Sequence, residues 1–136
     1  MSEPRSITIE YEGALPAALS KNGRSNTHWR TVAEETKNLR EVGLALIWEQ
    51  TSYAYENTMT PPFPKATIHV HQYWCRRPLD VSGLAAASAP LVDAFMDAGI
   101  LEDDDPETVT EFTFGAERVP KMVERRVTVT VREVLE

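Results

Sequence analysis

Between residues 65 and 98 the hydrophobic rhythm of the chain changes once, and that change limits the folds open to it. KATIHVHQYWC (65–75) alternates, with Ala66, Ile68, Val70, Gln72 and Trp74 on one side and Thr67, His69, His71 and Tyr73 on the wetter other side. That is the period of a strand buried on one face. RRPLDVSG is the loop leaving it, and LAAASAPLVDAFMDAG (84–99) follows at helical spacing, with Leu84, Leu91, Ala94, Phe95 and Ala98 inward and Gly99 as the C-terminal cap. Because proline suits a first turn, Pro90 predicts a regular helix starting near Ser88 as N-cap, with 82–87 a looser turn. A strand with one dry face beside a helix with one dry stripe asks for a helix packed on a sheet.

The flanking segments extend this unit. SITIEY (6–11) reads as a strand, EGALPAALSKNGRSN (12–26) as an irregular loop, and Thr27 as the N-cap of a long amphipathic helix through Gln50. Trp29, Val32, Ala33, Thr36, Leu39, Gly43, Leu46 and Ile47 form its apolar stripe, opposite Arg30, Glu34, Lys37 and Glu41. Three prolines in TSYAYENTMTPPFP (51–64) mark a connection. ETVTEFTF (107–114) and RRVTVTVREV (125–134), joined by GAERVPKMVE, predict an antiparallel hairpin. The expected fold is one small α/β (α+β) domain over residues 1–136, in β-α-β-α-β-β order. Its mixed or antiparallel sheet has about four strands, and two main helices pack on it.

Charge and composition narrow the function. With 14 Lys and Arg against 21 Asp and Glu, the net charge of −7 disfavours non-specific nucleic-acid binding by the molecule as a whole. The cations are unevenly spread, however. Lys21, Arg24, His28, Arg30, Lys37 and Arg40 fall in one stretch, and Arg76 and Arg77 adjoin the acidic region, so a local basic face beside an acidic pocket is compatible with the sequence. No run approaches the ~20 apolar residues a bilayer needs, and the N-terminus lacks the pattern of a signal peptide, so a soluble intracellular protein is expected. The one cysteine, Cys75, reads as a packing residue.

GILEDDDPETV (99–109) sets three aspartates between two buried runs. Such a cluster is costly unless it stays in water or holds a cation. Asp80 ends one strand, Asp93 and Asp97 lie on the next helix, and Asp103, Asp104 and Asp105 precede the following strand. Two or three of these brought together would make a hard oxygen site suited to Mg²⁺. His69 and His71 share one strand face, but with no third ligand nearby they read as sheet-surface histidines. Trp29 and Trp74 are expected in the core.

RRPLDVSGL, PLVDAFMDAGILEDDDPETV and LSKNGRSNTHWRTVAEETKNLR together resemble the RusA-type Holliday junction resolvases, in particular their phage-borne branch, over roughly residues 5 to 133. That family's pattern runs basic residues, an Asp, an Asn-Leu, an interior Lys, an Asp-Ala-Gly and then an Asp-Asp segment. By this resemblance Asp80 and Asp104 match the catalytic aspartates, Asp103 neighbours the second, and Asp93 matches the helix aspartate. Asp80, Asp104 and Asp93 would hold Mg²⁺ or Mn²⁺. Arg24, Arg30, Arg40, Arg76 and Arg77 would contact DNA phosphates. The family implies a homodimer in the cytoplasm of a bacterial cell, of a host or phage-infected, that cuts four-way DNA junctions by phosphodiester hydrolysis. Ser82 and Gly83 stand where the family has a second Asp or an Asn, and Ala89 where it has a lysine. These departures keep a second reading open, a member that binds branched DNA or a recombination partner without cutting. A third is a solvated acidic turn in a protein–protein module.

Overall fold

Val, Ile and Thr at alternate positions build the sheet. In the computed structural model, which describes residues 4–20, 28–51, 62–103 and 105–135, β1 spans Ser6–Glu12, β2 Ala66–Trp74, β3 Val109–Arg118 and β4 Arg126–Glu133. Helix α1 spans Trp29–Gln50 and α2 spans Val81–Asp97. The α+β class and the expected order of elements are both found. None of the helices among the described residues is long and apolar enough to cross a membrane.

Strand pairing departs from expectation. The sheet runs β1-β4-β2-β3, with β4 antiparallel to β1 and β2, and β3 parallel to β2. No β3–β4 hairpin forms, because β2 lies between the two. Helix α2 returns the chain to the start of β2, as a parallel neighbour requires, and this places β3 on the outer edge. Residues 119–125 then cross the end of β2, where Val119 N–H donates to the Trp74 carbonyl at 2.7 Å. Burial fits this order: Val127, Val129 and Val131 of β4 are all buried, while most of β3 is exposed or half-buried.

The helices cover one face of the sheet. Leu84, Ala87, Leu91, Ala94 and Phe95 of α2 are buried, as are Leu39, Gly43 and Ile47 of α1. Those α1 residues form a single ridge at four-residue spacing. A Cβ at Gly43 would sit 2.8 Å from Ala94 Cβ, so glycine lets the two helices approach this closely. Arg40 of α1 clamps Asp97 of α2 through Nε at 2.5 Å and Nη2 at 2.7 Å. That hydrogen-bonded guanidinium holds the Asp97 carboxyl below the usual carboxylate range.

Helix α2 starts earlier than Pro90 predicts. Its N-cap is Asp80, whose Oδ1 accepts from Gly83 N–H at 2.6 Å, and Ser88 is buried inside the helix. The cap, worth about 1 kcal/mol, acts together with burial of Leu84 and Ala87, and the helix runs through the proline. Gly83 permits the cap, since a Cβ there would meet Asp80 Oδ1 at 2.9 Å. At α1 the N-cap is His28, accepting from Arg30 N–H at 3.1 Å; Thr27 lies outside the described residues. Trp29 is 68% exposed rather than in the core, and Trp74 is half-buried.

The other face of the sheet is polar, carrying Thr8, Thr130, His69 and Thr113 in one cross-strand row. Burial first, and the neighbouring His71 imidazole second, hold His69 below the usual imidazole range.

Candidate nucleic-acid interface

Since β2 and β4 are antiparallel with Tyr73 opposite Arg126, the end of β2 and the start of β4 meet at one sheet edge. Each brings an arginine doublet there, Arg76–Arg77 after β2 and Arg125–Arg126 entering β4. Buried Gln72 fixes the first doublet. Its Nε2 donates to the Leu79 carbonyl at 2.6 Å and its Oε1 accepts from Leu79 N–H at 2.9 Å, closing the excursion that carries Arg76 and Arg77. On the facing side Gly13, at φ +84°, turns the chain after β1 and donates its N–H to the Arg125 carbonyl at 2.8 Å. The result is a cleft of about 590 Å³ whose walls include Tyr73, Trp74, Arg76, Arg77, Arg125 and Arg126, with no Asp or Glu among the lining residues.

The cations differ in freedom. Arg126 lies 3.8 Å from the Tyr73 ring centroid, and its Nε is 3.1 Å from Glu10. Arg125 Nε donates to the Met122 carbonyl at 3.0 Å. Arg76 and Arg77 are exposed. Glu10, Glu12 and Glu124 line an adjoining groove that shares Arg125 and Arg126. Four arginines thus meet at the cleft, which is how a chain of net charge −7 can still present one face to an anion.

Asp80, Asp93 and Asp103 do not gather at one point as expected. Asp80 and Asp93 belong to one continuous helix, and 13 residues at about 1.5 Å each separate them by roughly 20 Å along its axis. Asp103 is at the opposite end of α2 from Asp80, because Leu101 bridges to Phe63 beside the start of β2. A nine-residue strand at about 3.3 Å per residue puts some 26 Å between those two sheet edges. Oxygens of one Mg²⁺ shell each lie about 2.1 Å from the ion, so Asp80, Asp93 and Asp103 of one chain cannot share one. Asp104 lies outside the described residues. Among the described residues there is no group of three or more His, Cys, Asp or Glu side chains placed to hold a metal.

Individual roles follow from these positions. Asp80 caps α2, and Asp105 accepts from the backbone N–H groups of Glu107 and Thr108 at 3.1 and 2.9 Å, the turn that admits β3. Asp93 stands 4.0 Å from Arg40 and lines a small apolar groove with Ala89, Phe112 and Phe114, away from the arginine cleft. Of the expected phosphate contacts, Arg76 and Arg77 line the cleft, Arg40 is committed to Asp97, and Arg30 lies over Trp29 at 5.2 Å. Arg24 lies outside the described residues. Sequence reasoning missed Arg125, Arg126 and Gln72. The signal for the first two was the second RR doublet, at the mouth of a strand pairing antiparallel to the one the first doublet leaves.

No protein-family model and no curated protein matches the chain.

Proposed function

We propose that this chain is a RusA-like protein that binds branched DNA through the arginine cleft, with Asp80, Asp93 and Asp103 not sharing one Mg²⁺ within a single chain. The observation that carries the reading is the convergence of two arginine doublets on a cleft with no carboxylate among its described lining residues. Phosphate oxygens are the anions such a surface suits: guanidinium groups pair with them in a planar fork, and each contact releases condensed counterions. Tyr73 and Trp74 supply a partly apolar wall beside the charges, suited to sugar or base surface. The four-way junction as the particular DNA form, and a homodimer presenting two such clefts, rest on the resemblance of residues 5 to 133 to the resolvases.

Among the described residues, Asp80, Asp93 and Asp103 do not together fit the family's metal within a single chain, and no hydrolytic step follows from their geometry. One observation favours the resolvase as a second reading: Asp80 directly follows Leu79, which lines the cleft. On that reading the late aspartates come from another copy.

Fluorescence anisotropy with a labelled four-way junction in EDTA, competed by linear duplex of equal length, tests the proposal. Junction binding that resists duplex competition and falls on replacing Arg76 and Arg77 by Ala is expected. Equal affinity for junction and duplex, or none for either, refutes it. Incubation with Mg²⁺ separates the readings, since cleavage abolished by Asp80→Asn would establish the endonuclease.

A further inference from the structure

On the sheet face turned from the helices, β2 sets His69 opposite Thr130 and Thr113, and His71 opposite Thr128 and Gly115. His69 Nε2 and His71 Nδ1 stand 3.1 Å apart, and His69 Nδ1 is 2.6 Å from Thr113 Oγ1. Two nitrogens each about 2.0–2.1 Å from one tetrahedral ion are about 3.3 Å apart. The pair is therefore already near chelating distance. In the tautomer in which His69 Nδ1–H donates to Thr113 Oγ1, Nε2 is left as a lone pair, the way a metal-binding imidazole is oriented by the partner of its other nitrogen.

Two further observations set this pair apart from ordinary surface histidines. A Cβ at position 115 would lie 2.5 Å from His71 Nδ1 and 3.2 Å from His69 Cε1, so the absence of a side chain at Gly115 is what lets the two rings sit together over β3. His71 Nε2 is buried with no hydrogen-bond partner among the described residues. With His69 Nε2 bare, the hydrogen between the rings belongs to His71 Nδ1, and the orphaned Nε2 is a lone pair. A cation between the rings displaces that proton, and Nε2 of the same ring takes it up.

We propose that His69 and His71 form a two-imidazole site for a divalent transition metal of the zinc and copper class. Imidazole selects these ions over Mg²⁺. No third His, Cys, Asp or Glu stands with the pair among the described residues, so water completes the shell and the ion exchanges readily. The sequence set a metal aside for want of a third ligand. It did not show the nitrogen spacing, the threonine behind His69 or the close packing of His71 on Gly115. The His71 ring adjoins Tyr73 of the cleft wall, their centroids 4.9 Å apart, but metal binding by the pair does not depend on DNA binding.

Titration of the EDTA-stripped full chain with Zn²⁺ or Cu²⁺ against a chromophoric chelator tests it, with Mg²⁺ as control and circular dichroism of every variant as the check on folding. One ion per chain is expected, with electron paramagnetic resonance of the Cu²⁺ form showing coupling to two imidazole nitrogens. His69→Ala or His71→Ala abolishes binding, Gly115→Ala weakens it, and Thr113→Val weakens it about tenfold. His28→Ala, which removes the third and last histidine of the chain, leaves it unchanged. Should a histidine variant fail to fold, Thr113→Val and the two-nitrogen coupling decide. Binding that survives loss of both His69 and His71, Mg²⁺ binding as tight as Zn²⁺, or no uptake of either transition metal overturns the proposal.

Discussion

Replacing Gly43 by alanine sets two effects of opposite sign against each other. In a helix interior alanine is favoured over glycine by about 1 kcal/mol, so propensity alone predicts a more stable protein. The added Cβ, however, would sit 2.8 Å from Ala94 Cβ and 3.2 Å from Leu91 Cδ2. Neither Cβ can swing aside, because each is fixed to the backbone of its own helix. Relief requires α1 and α2 to part by most of an ångström, and overpacking of that kind costs about 1–3 kcal/mol. Overpacking outweighs propensity: Gly43→Ala should destabilise by about 1 kcal/mol, lowering Tm by about 3–5 °C for a domain of this size. Ala94→Gly on its own should also destabilise, through propensity and the removal of a buried methyl. The double variant should nonetheless be more stable than the sum of the two by about 1 kcal/mol, the coupling expected of residues in direct contact. Urea unfolding of wild type, both single variants and the double gives all four free energies. A rise in stability for Gly43→Ala, or strict additivity, would refute the close approach of the helices at this point.

Three further outcomes follow. Replacing Arg76 and Arg77 by Ala should lower the slope of log K against log salt for DNA binding by about 2, since each phosphate that an arginine neutralises adds about 0.9 to it; an unchanged slope would assign both to bare surface. Asp80→Ala should cost about 1 kcal/mol through loss of the α2 cap, with Asp80→Asn close to wild type in chemical unfolding, since asparagine caps as well. Buried Glu133, whose carboxyl is held low chiefly by its hydrogen bonds from Arg5, stabilises the fold fully above its unfolded pKa of about 4.3. That contribution disappears as pH falls toward the depressed folded value, so Arg5→Ala should flatten the acid limb of a stability–pH curve. An acid limb as steep as that of wild type would show that the pair does not set it.

What could be read from the sequence divides along physical lines. Periodicity reports which face of an element is dry, and along β2 Ala66, Ile68, Val70 and Gln72 are buried as it predicts, with Trp74 at the strand end half-buried. It carries no information on which strands are neighbours. Val127, Val129 and Val131 look the same in a hairpin as in a strand inserted between β1 and β2, and only the crossover through α2 decides between them. The spacing of Asp80 and Asp103 was hidden for a related reason. Asp80 and Asp103 each flank α2 in sequence, but a helix that flanks is also a helix that separates, and its length sets their distance. Once that length is drawn, Asp80 and Asp105 bond backbone N–H groups at the starts of α2 and β3. The same antiparallel pairing that the hairpin reading missed makes one positive surface of two arginine doublets 48 residues apart in sequence. An acidic chain thus acquires a basic site through topology rather than composition, and its charge pattern becomes interpretable only after its strand order is known.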